Sequence, residues 1–303
     1  MHTVIKMNNY IITGATGFIG SNLVRVLLKN NSKITIITRK NSDYSKILDI
    51  KDKLNIYEYN GDIIELVNLF NLINPDLVIH LASSFILNHR LDEIDKLIDS
   101  NIRFGTQILE AMKLSNCKKI INTSSYYQHY NNEIYNPVNL YAATKQAFED
   151  IIYYYSSEYN IKSITLELFD TYGENDSRPK ILNLLNNYAN SKKALDMSLG
   201  EQILDITYID DIVSAYLKTI QLISIKEDNI PDKYSLISEN RIKLKDLVRL
   251  YEQVTNKKIN VNLGAKPYRN RQIMNPWDKG KHLPQWQARI SISEGIKKCF
   301  LPK

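Results

Sequence analysis

Tyr141 and Lys145, four residues apart, are the pair in this sequence best suited to moving a proton. On a helix that spacing puts both side chains on one face. An ammonium beside a phenol favours the phenolate and pulls its pKa down from about 10. Such a phenol gives or takes a proton at a substrate oxygen near neutral pH. Ser124 and Ser125 stand just past a strand-like run over 119–123 and offer a hydroxyl to the same oxygen. In a chain with 20 tyrosines and many lysines the spacing recurs by chance, so the pair gains weight only from its company.

That company lies near the N-terminus. Residues 10–13 read as a short apolar strand running into Gly14, Gly17 and Gly20, and an amphipathic helix follows with Leu23, Val24, Leu27 and Leu28. The first glycine permits a sharp turn, the second lets the backbone approach a pyrophosphate, and the third lets the helix pack close on a sheet. The helix N-terminus then turns its N–H groups to the anion. Glycines so spaced also occur in purely structural turns. Here a strand precedes them, and a second strand with Ile34, Ile36 and Ile37 follows the helix, as a dinucleotide cradle requires.

The elements that must position these residues alternate. Strand-like runs at 10–13, 33–38, 55–59, 77–80, 119–123 and 163–168 are separated by helix-like runs at 18–29, 64–73, 91–114 and 140–159. This rhythm predicts an α/β protein with a Rossmann-like, doubly wound parallel sheet. Right-handed crossovers place the strand C-terminal ends along one edge, where ligands bind. The rhythm breaks near Tyr172. Beyond it come a helix over 181–188, short strands over 195–199 and 203–207, a helix over 209–222, and a mixed remainder punctuated by Pro231, Pro267, Pro276 and Pro284. The expected organisation is a Rossmann domain over 1–171, with 203–222 returning to it, and a smaller C-terminal substrate-binding lobe from 172–202 and 223–303.

The 303 residues, 44% of them hydrophobic, suffice for a sizeable core. Cys117 and Cys299 are far apart, match no metal spacing and read as free thiols of a reducing cytoplasm. No apolar run is long enough to span a membrane, and residues 1–9, lacking a signal-peptide core, read as a disordered lead-in in which Met7 is a candidate start. The net charge of +6 comes from scattered lysines with no basic stripe, which argues against nucleic acid and for a solvated surface mildly attractive to phosphates.

Together the motifs resemble the extended short-chain dehydrogenase/reductases that act on nucleotide-linked sugars, over essentially the whole chain. Thr13-Gly14-Ala15-Thr16-Gly17-Phe18-Ile19-Gly20 is similar to the family's cofactor turn, Gly61-Asp62-Ile63 to the segment whose aspartate contacts adenine, and His80-Leu81-Ala82-Ser83 to the stretch beside the cofactor. Asn101 with Gly105 and Thr106 resembles the helix bracing the fourth strand. Leu168-Phe169-Asp170-Thr171-Tyr172-Gly173 resembles a loop usually read Phe-Asn-Val-Tyr-Gly, and Tyr208-Ile209-Asp210-Asp211 a late motif near the substrate lobe. The resemblance implies cofactor contacts from Gly14, Thr16, Gly17, Phe18, Ile19, Gly20, Asp62, Ile63, Leu81, Ala82 and Ser83. It implies Ser125, Tyr141 and Lys145 as the catalytic groups, with Lys145 also on the nicotinamide ribose, and no metal.

Departures sharpen the expectation. Thr38-Arg39-Lys40 carries no carboxylate where NAD users grip the ribose, so Arg39 is expected to clasp a 2′-phosphate and the cofactor to be NADP(H), with NAD(H) the alternative. Tyr126 and Tyr127 occupy the positions of the dehydratases' Asp-Glu pair, which disfavours dehydration. Leu204 replaces a common arginine, leaving Arg178, Arg269 and Arg271 as candidate phosphate contacts. Gln128-His129-Tyr130 and the stretch 139–146 are most like CDP-deoxyhexose 4-ketoreductases of the paratose-synthase type. Substrate contacts are expected from Ser84, Tyr126, His129, Arg178 and Arg271.

The expected activity is NADPH-dependent reduction of the 4-keto group of a nucleotide-activated deoxysugar. The alternatives are an NAD-dependent sugar-nucleotide 4-epimerase and a non-catalytic NADP(H)-sensing protein. A cytoplasmic homodimer is expected, paired through helices 91–114 and 140–159, where Ile151, Ile152, Tyr154 and Tyr155 exceed the apolar surface one face needs.

Overall fold

Short runs rich in isoleucine and valine, apolar on both faces, can only be strands buried between helices. The computed structural model describes residues 8–191 and 193–302. Its strands are β1 (Asn9–Thr13), β2 (Lys33–Arg39), β3 (Asn55–Tyr59), β4 (Leu77–His80), β5 (Lys119–Ser125), β6 (Lys162–Leu168), β7 (Asp170–Tyr172), β8 (Leu195–Met197), β9 (Ile203–Tyr208), β10 (Asp232–Ser235), β11 (Arg241–Lys243) and β12 (Val261–Leu263). Its helices are α1 (Phe18–Lys29), α2 (Ile63–Ile73), α3 (Ile94–Ile98), α4 (Phe104–Lys113), α5 (Leu140–Tyr159), α6 (Ile181–Ala189), α7 (Ile209–Ser224), α8 (Leu244–Thr255) and α9 (Ile292–Phe300).

Seven strands form one sheet in the order β10-β6-β5-β4-β1-β2-β3. β3, β2, β1, β4 and β5 run parallel to their neighbours. The order reverses direction between β1 and β4, the switch point where an open α/β sheet binds ligands. This is the Rossmann-like doubly wound sheet expected from the sequence. Its core holds Ile11, Val78 and Ile120 from the sheet with Phe70, Ile108, Met112, Phe148 and Ile152 from α2, α4 and α5. The described part begins at Asn8, and Asn9 already pairs in β1, so the expected lead-in is shorter by at least that residue; residues 1–7, Met7 included, lie outside the described residues.

Contacts divide the chain into two units. The first holds the residues up to Ser125, Asn139–Glu167 and Tyr216–Tyr234; the second holds Tyr126–Val138, Leu168–Ala215 and the residues from Ser235. The expected boundaries differ at four places, one of them 223–234, which lie in the first unit. Residues 126–138 belong to the second unit because they double back on themselves (Val138 N donates to Tyr127 O, 2.8 Å) and because Tyr126 packs with Phe169, Ile273 and Trp277. Residues 168–171 follow them through β7. Residues 203–215 also stay in the second unit, since β9 pairs with β7 in parallel and with β11 antiparallel; the stretch in the first unit is Tyr216–Tyr234.

The long helix expected over 91–114 is interrupted. A 3-10 turn at Leu91–Glu93 leads into α3, and a π-turn at Asp99–Arg103 separates α3 from α4. The inserted residue of a π-turn shifts the side-chain register, and such turns gather at functional sites. Here it holds Asn101, 1% exposed, in the interior. The helix expected over 140–159 is α5, capped by the Asn139 side chain, which accepts from Ala142 N.

Candidate active site

The glycine turn after β1 is built for a close ligand. Gly14 has φ +71°, and a Cβ there would lie 2.7 Å from Ala82 N. A Cβ on Gly20 would lie 2.3 Å from Gly14 O, so only glycine lets α1 start against the turn. Gly17 N donates to Gly14 O at 3.0 Å. No side chain caps α1 and no acid occupies its first turn, which suits its positive end to an anion. Gly14, Thr16, Gly17, Arg39, Leu81, Ala82 and Ser83 line one cleft of about 450 Å³; Phe18, Ile19 and Gly20, also expected on the cofactor, begin α1 and stand outside that lining. The residues present therefore fit a dinucleotide. Asp62 and Ile63, expected on the cofactor, stand outside this lining: Asp62 caps α2, its carboxylate accepting from Ile64 N at 2.8 Å, and Tyr59 of β3 lines that edge instead.

Arg39 ends β2, exposed, and its guanidinium has no ion-pair partner among the described residues. Ser42 and Lys96 line the same cleft. Its one lining carboxylate, Asp99, pairs with Arg103 at 3.5 Å.

The catalytic candidates come from β5 and α5. β5 runs through Ser125, so both serines end the strand rather than follow it. Ser124 Oγ donates to the Glu149 carboxylate, which turns that hydroxyl to α5 one helical turn beyond Lys145. Tyr141 and Ser125 retain 9% and 8% exposure, whereas Lys145 retains 2%. Burial drives the Lys145 ammonium down to about 8, and only the Glu149 charge opposes it. Asn101 ties the parts together. It donates to Thr144 Oγ1 at 2.9 Å and to Ser84 O at 3.0 Å, and accepts from Ser84 N at 2.7 Å and Ser83 Oγ at 3.0 Å. Thr144, between Tyr141 and Lys145 on α5, donates in turn to Tyr141 O at 2.8 Å. Ser84, expected on the substrate, is thus held by its backbone.

His80 closes β4. Thr13 Oγ1 accepts from Ala82 N and shares a hydrogen bond of 2.9 Å with His80 Nδ1. Burial and the Lys145 charge hold the imidazole down at about 3, so it stays neutral.

In the second unit, Tyr126 stacks on Phe169 at 4.8 Å and donates its hydroxyl to Asp170 at 3.1 Å. Asp170 also pairs with Lys180 at 2.9 Å. The sequence signals this ion pair only by Asp170 where the resembled loop has asparagine, with Lys180 ten residues on. His129 stacks on Trp277, with centroids 4.1 Å apart, and its Nδ1 lies 3.0 Å from Glu133 O, so it is packed into this unit. Arg178 is turned into its own loop, gripping Asp176 through Nε and Nη2 at 2.8 Å each and Thr171 O at 2.9 Å. Arg271 lies over the Tyr130 ring at 4.3 Å and donates to Asn136, while its Nε is buried without a partner among the described residues. Among the described residues no cluster of three His, Cys, Asp or Glu side chains could hold a metal, and no helix is long and apolar enough to cross a membrane.

A buried lysine has a cost that the fold carries for its function. Unfolded, the group holds its proton to its ordinary 10.5; folded, only to about 8. The unfolded state binds more protons between those values, so this group's penalty shrinks as pH rises through that window. Lys145→Met is expected to raise stability at pH 7 by on the order of 2 kcal/mol. Thermal melts at pH 7 and pH 9.5 check this: the gain should be smaller at the higher pH.

A glycine cradle at the switch point of a doubly wound sheet, with a Tyr-Lys helix beside the end of the fifth strand, defines a nucleotide-dependent short-chain oxidoreductase. The chain belongs to the NAD dependent epimerase/dehydratase family, whose sequence profile matches residues 10–230, and is an NAD(P)-dependent enzyme acting on a sugar nucleotide. It is 32% identical to a CDP-abequose synthase of Yersinia pseudotuberculosis over 94% of this chain and 97% of that protein. It is 27% identical to a UDP-glucuronate 4-epimerase of Thermodesulfobacterium geofontis over 96% and 95%. Its fold matches the crystal structure of UDP-glucuronic acid 4-epimerase from Bacillus cereus in complex with UDP-glucuronic acid and NAD, with a TM-score of 0.83 at 22% identity over 95% and 96% of the two chains.

Proposed function

We propose that the protein reduces the 4-keto group of a CDP-activated deoxyhexose, using NADPH. The observation that carries this is the pair Tyr126–Tyr127 after Ser125. Burial raises both phenols' pKa values, Tyr126 well above the ordinary tyrosine range, so neither does the acid–base work of the carboxylates that dehydration needs. Similarity to a CDP-abequose synthase supports the base and the sugar class. Bound in the cleft, the reduced nicotinamide supplies a hydride. Tyr141 gives the proton to the C4 oxygen, Ser125 polarises that oxygen, and Lys145 holds the ribose and the charge beneath Tyr141. Arg39, with Ser42 and Lys96 in the same cleft, takes the 2′-phosphate. Arg271, whose Nε has no partner among the described residues, is the arginine we assign to the substrate's phosphates.

The test mixes the protein with NADPH and a CDP-4-keto-deoxyhexose. Loss of reduced-nicotinamide absorbance, one equivalent per sugar, supports the proposal. A 4-epimerase is the second reading, favoured by the relative that is 27% identical. It predicts inversion of a sugar nucleotide at C4 with no net consumption of cofactor. A sensor without chemistry would have no use for Ser125, Tyr141 and Lys145 together.

The proposal includes a cytoplasmic homodimer. Of the residues expected at its interface, Ile152 and Tyr155 are instead packed in the chain's own core, and Tyr155 donates to Glu110 at 2.6 Å. Ile151 also packs against that core, so of the four only Tyr154, 54% exposed on α5, remains to pair two copies, and we add its neighbour Tyr153, 62% exposed. Sedimentation at micromolar concentration should give a dimer of the 35.1 kDa chain that Tyr153→Asp with Tyr154→Asp converts to monomer. A wild-type monomer, or a dimer surviving both changes, refutes this interface.

A further inference from the structure

A partly buried ionic network begins one helical turn beyond the Tyr-Lys pair. Tyr141, Lys145 and Glu149 succeed one another at four-residue steps along α5 and share one helix face. The Glu149 carboxylate accepts from Ser124 Oγ of β5 and pairs with Lys233 Nζ of β10 at 3.0 Å. Lys233 also pairs at 3.2 Å with Glu167 of β6, whose side chain is fully buried. Two strands thus hold the Glu149 carboxylate of α5 directly, and a third reaches it through Lys233. A structural role alone would not require placing it a turn from the proton-transfer lysine, nor fixing it from two sides.

The geometry points to Glu149 as a positioning residue: its carboxylate, fixed by Ser124 and Lys233, keeps Lys145 protonated and in place, and Lys233 with Glu167 sets how much negative field reaches it. The inference rests on the proposed role of Lys145. The other groups near Lys145 leave Glu149 the task. His80 on β4 is neutral, and Ser124 and Ser125 on β5 carry no charge. Tyr216 on α7 sits near Tyr141 with its hydroxyl on Thr123 Oγ1 at 2.7 Å, and burial keeps it a neutral phenol. Burial pulls the Lys145 ammonium down, and the Glu149 charge pulls it back up. Lys233 acts with the opposite sign through Glu149.

The test is an NMR titration of the full-length protein labelled with 13C at the lysine ε-carbons, with the Lys145 signal assigned by Lys145→Arg. Glu149→Gln should lower its midpoint by about one pH unit, a tenfold loss of proton affinity. Lys233→Met should raise it, and Glu149→Asp should restore most of the wild-type midpoint. Opposite shifts from the two sides of one ion pair are what loosened packing does not give. If both midpoints stay within about 0.3 unit of wild type, the proposal is overturned. Should Glu149→Gln fail to fold, the Lys233→Met shift decides, and no upward shift overturns the proposal. The alkaline limb of the kcat profile with NADPH and a CDP-4-keto-deoxyhexose should move with the midpoints. If wild type turns over no such sugar, the functional reading fails, while the titration still decides whether Glu149 governs Lys145.

Discussion

Tyr141→Phe should lower kcat for 4-keto reduction by about 10³-fold while leaving the Kd for NADPH nearly unchanged. The change removes one hydroxyl and keeps the ring, which packs edge-on against Phe85 with centroids 4.9 Å apart. In the proposed reading the cofactor is held by the glycine turn and the cleft around it, whose lining does not include Tyr141. Ser125→Ala should cost less, about 10²–10³-fold, as loss of a single donor to a developing oxyanion does. Ser124→Ala should cost less again, because that hydroxyl serves Glu149 rather than the substrate. Steady-state kinetics and fluorescence titration of the cofactor check all three. A larger loss at Ser124 than at Ser125 would mean the roles of the two serines are exchanged.

Arg39→Asp should weaken NADPH binding by about 100-fold and leave NADH bound as well as or better than before. A guanidinium on a phosphate makes charge-assisted hydrogen bonds, each worth about 1.5–3 kcal/mol, and each 1.4 kcal/mol is tenfold in affinity. An aspartate repels the same phosphate and can accept from the free ribose hydroxyls of NADH. Paired titrations of the two cofactors measure the switch. Unaltered protein that binds NADH as tightly as NADPH would remove Arg39 from the account.

What the sequence disclosed follows from where its information is local. The first unit was legible because β1, β2 and β4 are built round the apolar runs Ile11-Ile12, Ile34 to Ile37 and Leu77 to Ile79, and α1 and α5 keep their helical period from cap to end. The turn at Gly14 and Gly17 and the shared face of Tyr141 and Lys145 were legible because each is a relation within one turn of the chain. The π-turn at Asp99–Arg103 was not, since an apolar period cannot show an inserted residue; only Asn101, polar on a helix otherwise amphipathic, hinted at it. The affiliation of residues 126–138 depends on Tyr126 meeting Phe169, Ile273 and Trp277, far along the chain. β7 and β11, three residues each, are too short to declare themselves, and β9, expected over 203–207, finds both of them across similar distances. α8 was readable, with Leu244, Leu247, Val248, Tyr251 and Thr255 on one face, yet it hid in a stretch whose prolines suggested loops. Arg178 illustrates a further limit: a sequence gives a cation's position and not the carboxylate it has already met, here Asp176 two residues away.

The central claim is that reduced cofactor is spent on C4 of a CDP-linked sugar, and isotope transfer tests it most directly. The protein is given NADPH deuterated at its transferable position together with a CDP-4-keto-deoxyhexose, and the recovered sugar nucleotide is examined by NMR and mass spectrometry. The account predicts one deuterium at C4 for each NADP+ formed, with Tyr141→Phe giving almost none in the same time. A protein that leaves the label in the cofactor, or that inverts C4 of a sugar nucleotide without net oxidation of NADPH, would contradict it.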